Sequence, residues 1–84
     1  MRKGFIIRKR DFPQAWGWIS AVYKIATNSK KNPSSIQGTD ADIKDFVYLV
    51  IFQIESDYDE KIDAMFDYKL KRELANLKLI LRDL

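Results

Sequence analysis

The side chains able to do chemistry in this chain are carboxylates, ammonium and guanidinium groups, hydroxyls and amides, because it contains no histidine and no cysteine. Without histidine there is no side chain whose ordinary pKa lies near neutrality, and the usual general base and metal ligand are lost. Without cysteine there is no thiolate nucleophile, no thiolate metal site and no disulfide. The densest group of potential ligands is Glu55, Asp57, Asp59, Glu60, Asp63 and Asp67. It lacks the alternating carboxylates, central glycine and closing glutamate of a calcium loop. Asp59, Asp63 and Asp67 recur every fourth residue, which places like charges along one helix face at a cost of roughly 0.3 kcal/mol per pair. Two readings stand: a solvated face that complements a helix N-terminus, or a docking surface for a basic partner. No glycine-rich phosphate loop, paired-carboxylate signature or nucleophile arrangement is present. The expectation is a non-catalytic protein with no metal and no cofactor.

The second group able to bind a ligand is cationic. Lys3, Arg8, Lys9, Arg10, Lys30 and Lys31 could neutralise phosphates, with Trp16 and Trp18 close by in the sequence to stack on nucleic-acid bases. The competing reading is a solubilising arm, or pairing with the chain's own acidic segment. Net charge is +3, but it is distributed in three blocks. Residues 1–33 hold eight basic residues against Asp11, a net of +7. Residues 34–68 hold Lys44 and Lys61 against nine acidic residues, a net of −7. The last sixteen hold five basic residues against two acidic ones, a net of +3.

Three helical segments are expected to position these groups. Asp11-Phe12-Pro13-Gln14 reads as a helix start, with a capping carboxylate, proline in the first turn and glutamine three residues on. Phe12, Trp16, Ile19, Tyr23 and Ala26 continue it at steps of four and three, predicting a helix over 11–27. Ser29 to Gly38, polar and containing Pro33, reads as a loop. Thr39-Asp40-Ala41-Asp42 opens a second helix, 39–55, with Thr39 as its cap. Ile43, Phe46, Val47, Val50, Ile51 and Ile54 form one apolar side, and Tyr48, Leu49 and Phe52 the other. A segment apolar all round should be buried in the middle of a bundle, although its β-branched and aromatic content also suits a strand. Asp57 with Glu60 predicts a third N-cap and a helix over 57–83, carrying Ile62, Phe66, Leu70, Leu74, Leu77, Leu81 and Leu84 on one side. With neither glycine nor proline after Gly38, a single long helix from 40 to 83, which would require a dimer, is the alternative.

Residues 1–10 read as a basic arm or a short edge strand, Phe5-Ile6-Ile7 being followed at once by Arg8-Lys9-Arg10. No apolar stretch has the length of a signal peptide or of a membrane span, so the expected location is cytoplasmic. Gly17, between Trp16 and Trp18, weakens a helix by about 1 kcal/mol relative to alanine, which predicts either close packing of another helix there or an exposed anchor formed by Trp18, Val22 and Ile25. The fold expected is an all-α, three-helix bundle forming one domain, with a basic N-terminal arm and an option to dimerise through its last helix. Its expected function is to bind another protein, or itself, as a small regulatory, inhibitory or adaptor module. Trp18, Val22, Leu77, Leu81 and Leu84 would supply apolar surface, and Asp59, Asp63 and Asp67 orientation. The alternative is a dimeric nucleic-acid-binding regulator using Lys3, Arg8, Lys9, Arg10, Lys30 and Lys31.

Overall fold

The computed structural model of the protein describes residues 4–61 and 67–84. Its elements in chain order are β1 (Phe5–Arg8), a short 3-10 turn (Lys9–Asp11), α1 (Trp16–Thr27), β2 (Ser35–Gly38), α2 (Asp40–Lys61) and α3 (Asp67–Asp83). Three helices are present as expected, but the fold is not purely α. β1 and β2 pair antiparallel, with Phe5 opposite Gly38, Ile6 opposite Gln37, Ile7 opposite Ile36 and Arg8 opposite Ser35. Ile7 and Ile36 form a cross-strand pair buried in the core, and Lys9 N–H donates to Ser34 O to prolong the ladder. The apolar triplet of the basic arm is therefore an ordered strand, held by a partner from the segment that the sequence suggested was loop. Gly4, at φ +83°, lies so close to Gly38 that an added Cβ would stand 2.5 Å from the Gly38 carbonyl oxygen, so only glycine fits there.

α1 begins at Trp16 rather than at Asp11, because Lys9–Asp11 turns as 3-10 helix and Phe12 drops into the core. Its N-terminus has no local side-chain cap. Glu73 of α3 supplies one instead: Gln14 N–H donates to Oε2 at 3.0 Å and Ala15 N–H to Oε1 at 2.8 Å. Glu73 is only 8% exposed, and its charge sits where the helix dipole favours an anion. At the other end, Asn28 adopts the left-handed conformation, φ 56° and ψ 34°, and Ser29 N–H donates to Lys24 O, which closes the helix.

α2 starts as its sequence implies, with Asp42 N–H donating to the Thr39 hydroxyl at 3.2 Å. The helix then passes through Glu55–Tyr58 without a break and continues to Lys61. Asp57 is thus inside a helix and caps nothing, its carboxylate engaged instead by the indole of Trp18. Lys78 Nζ lies 2.8 Å from Glu55 Oε2. In one continuous helix those residues would stand about 34 Å apart at 1.5 Å per residue, so α2 and α3 fold back on each other.

Ile43, Val47, Val50, Ile51 and Ile54 of α2 meet Ile7, Phe12, Ala15, Trp16, Ile19, Ile36, Leu70 and Leu77 in one core. Their steps of four, three, one and three define a single stripe. The other side of α2 is not covered, contrary to the expectation of all-round burial, since Tyr48, Leu49 and Phe52 face outward. A small sheet and two helices cover one side of α2, and no fourth element lies over the rest among the described residues. No helix among the described residues is long and apolar enough to cross a membrane.

Candidate functional site

α1 separates two surfaces of different chemistry. Its neighbour α2 runs antiparallel to it, with Trp18 beside Asp57 and Val22, Ile25 and Ala26 beside Gln53, Phe52 and Leu49. Between them lie two adjoining hollows of about 470 and 330 Å³ that share Val22, Ile25 and Gln53 and so make one groove. Its walls are apolar: Ile25 is 82% exposed, Phe52 63% and Leu49 50%, with Tyr48 at 62% next along α2. Contiguous exposure of four large apolar side chains differs from the scattered single ones that any soluble surface carries. At the end nearest Asp57 the Trp18 indole N–H donates to Asp57 Oδ2 at 2.7 Å, which satisfies the half-buried indole donor and fixes the ring's orientation.

On the other flank of α1, two adjoining clefts of about 490 and 560 Å³ share Lys9, Pro13 and Ser34. The first is completed by Trp16, Gly17, Ser20, Ala21, Lys24, Asn32 and Pro33, and the second by Arg8, Arg10 and Ser35. The strand pair brings Arg8, Lys9 and Arg10 beside Ser34 and Ser35. The Trp16 indole N–H donates to Pro33 O at 2.9 Å and ties the 29–34 segment to α1, which sets the width of the first cleft.

The residues singled out from the sequence divide among these surfaces. Trp18 and Val22 line the apolar groove, and Ile25 joins them. Leu77 is fully enclosed in the core and presents no surface, while Leu81 and Leu84 are half-buried against that core. Lys9 lines both basic clefts, and Arg8 and Arg10 line the outer one. Lys30 and Lys31 are exposed in the segment that runs into Asn32. Lys3 and Asp63, and the side chains of Asp59 and Asp67, lie outside the described residues. A Cβ added at Gly17 would meet no atom within 4 Å, so no helix packs against it; it is exposed and lines both surfaces.

Leu49, Phe52, Gln53, Lys24, Asn32 and Ser34 were not evident as surface-forming residues. The apolar back of α2 was visible in the sequence as a second stripe, and it is this stripe, left uncovered, that builds the groove. Lys24 became part of the basic flank only through the approach of Lys9 across the cleft. No protein-family model, curated protein or solved structure matches the chain.

Proposed function

We propose that the protein is a non-catalytic docking module that binds an amphipathic helix of a partner protein in the groove between α1 and α2. The observation that carries this reading is the outward exposure of Ile25, Leu49 and Phe52 along two antiparallel helices. Such a groove accepts a third helix by ridge-into-groove packing, read through apolar anchors at i, i+3 or i+4, and i+7. Burial of the anchors supplies the affinity.

The occupant is a helix whose apolar stripe is flanked by lysine or arginine. Asp45 is exposed on α2 one turn before Leu49, and Asp57 closes one end of the groove. Unlike charges at such a rim speed encounter and set orientation.

The test uses two labelled model peptides of equal length and apolar content, one of leucine and lysine and one of leucine and glutamate, titrated by fluorescence anisotropy. Saturable binding of the lysine peptide, at least tenfold tighter than the glutamate peptide and lost in Ile25→Glu, is the expected result. Equal binding of both peptides, or binding that survives Ile25→Glu, overturns the reading. Sedimentation as a dimer that Ile25→Glu dissociates would overturn it in favour of a second copy.

A further inference from the structure

We propose that the basic flank of α1 is a second binding site, for the phosphodiester backbone of duplex nucleic acid. It rests on charged residues that do not line the apolar groove. Arg8, Lys9 and Arg10 from the end of β1 and its following turn, with Lys24 from α1, line two clefts that open side by side. Among the described residues none of the four has an ion-pair partner. Among the described residues no acidic side chain lines either cleft; Asp11, the single acid of the first 33 residues, is exposed in the same 3-10 turn and stands outside both linings. Unpaired cations held in proximity repel one another, and an anionic ligand relieves that repulsion.

The neutral groups around them suit phosphate oxygens. Ser34 and Ser35 bring hydroxyls to the outer cleft, and Ser20 and Asn32 bring a hydroxyl and an amide to the inner one. Such donors, with arginine and lysine, are the usual partners of a sugar–phosphate backbone. Arginine contributes a planar fork that grips two phosphate oxygens, and lysine a point charge.

The clefts also indicate which form of nucleic acid is taken. A single strand is bound by stacking its bases on exposed aromatic rings. Among the described residues the one aromatic residue lining these clefts, Trp16, is 95% enclosed, and its N–H is already donated to Pro33 O. With no stacking platform, contact is confined to the backbone, so a duplex is bound with little regard to sequence.

Anisotropy of a labelled duplex of about 20 base pairs tests this, with single-stranded DNA of the same length as comparison. Four phosphate contacts predict that affinity falls about 100-fold between 50 and 200 mM salt. The double substitution Arg8→Ala, Arg10→Ala should reduce the slope of log affinity against log salt by about 2, and Lys24→Ala by about 1. Lys44→Ala, on exposed α2, should leave the slope unchanged, and circular dichroism of each variant monitors folding. No duplex binding at 50 mM salt, an unaltered slope in well-folded Arg8→Ala, Arg10→Ala protein, or single-stranded DNA bound tenfold more tightly than duplex would each overturn the assignment.

Discussion

On one side of α1, Trp18, Val22 and Ile25 look onto α2 and an apolar groove; on the other, Ser20 and Lys24 look onto a cleft shared with Lys9, Asn32 and Ser34. Gly17 and Ala21, both exposed, line both. Successive residues of a helix turn by about 100°, so one short helix presents both flanks without conflict. The two surfaces would gain free energy by different routes. The groove gains mainly by removing apolar area from water, with a rim-charge contribution that salt screens modestly, and the cleft by releasing counterions, which makes it steeply salt-dependent. Both share one anchor in Glu73, which fixes the N-terminus of α1 against α3.

The largest effect is expected where the comparison itself is broken. Glu73→Ala leaves the Gln14 and Ala15 N–H groups without an acceptor in a largely buried setting, and should cost about 2–3 kcal/mol in urea unfolding. Peptide and duplex binding should then decline together. Glu73→Gln, which keeps the volume and one acceptor oxygen, should cost about half as much. Next in size, Phe52→Glu should weaken the lysine peptide at least tenfold, equivalent to about 1.4 kcal/mol, while stability shifts by less than about 0.5 kcal/mol because the side chain is exposed. The reverse selectivity is expected of Arg8→Ala, Arg10→Ala, with duplex affinity lost and peptide affinity kept. Trp18→Phe removes the indole donor from Asp57 and should cost about 1 kcal/mol, seen as a lower urea midpoint. The smallest change should be a gain: Gly17→Ala adds a methyl into open space and removes a helix-weakening glycine, raising stability by up to about 1 kcal/mol.

Local signals in the sequence located much of the fold. The Thr39 cap, the inward Trp16 and Ile19, and the Ile43–Ile54 stripe are each set by neighbours within a turn or two, and the structure places them accordingly. What escaped was long-range. The pairing of Ile7 with Ile36 depends on a register across nearly thirty residues, to which the polar Ser29–Gly38 segment gives no periodic clue. The true cap of α1 comes from Glu73, a carboxylate in a lysine-rich helix that looks solvated until α3 is folded against α1. Asp57 shows the converse: it carries the composition of an N-cap but finds an indole across the helix pair, and α2 runs through it. Of the binding surfaces, Trp18 with Val22 and Ile25, and the Arg8–Arg10 cluster, were legible as compositional features. Which residues oppose them was set by tertiary packing.

The most direct test of the account is a map of amide shift changes in the 15N-labelled protein on addition of the leucine–lysine peptide. The account predicts changes centred on Trp18, Val22, Ile25, Leu49, Phe52 and Gln53, with Lys9, Lys24 and Ser34 little affected. Changes centred on Lys9, Lys24 and Ser34, or spread evenly over all three helices, would contradict it.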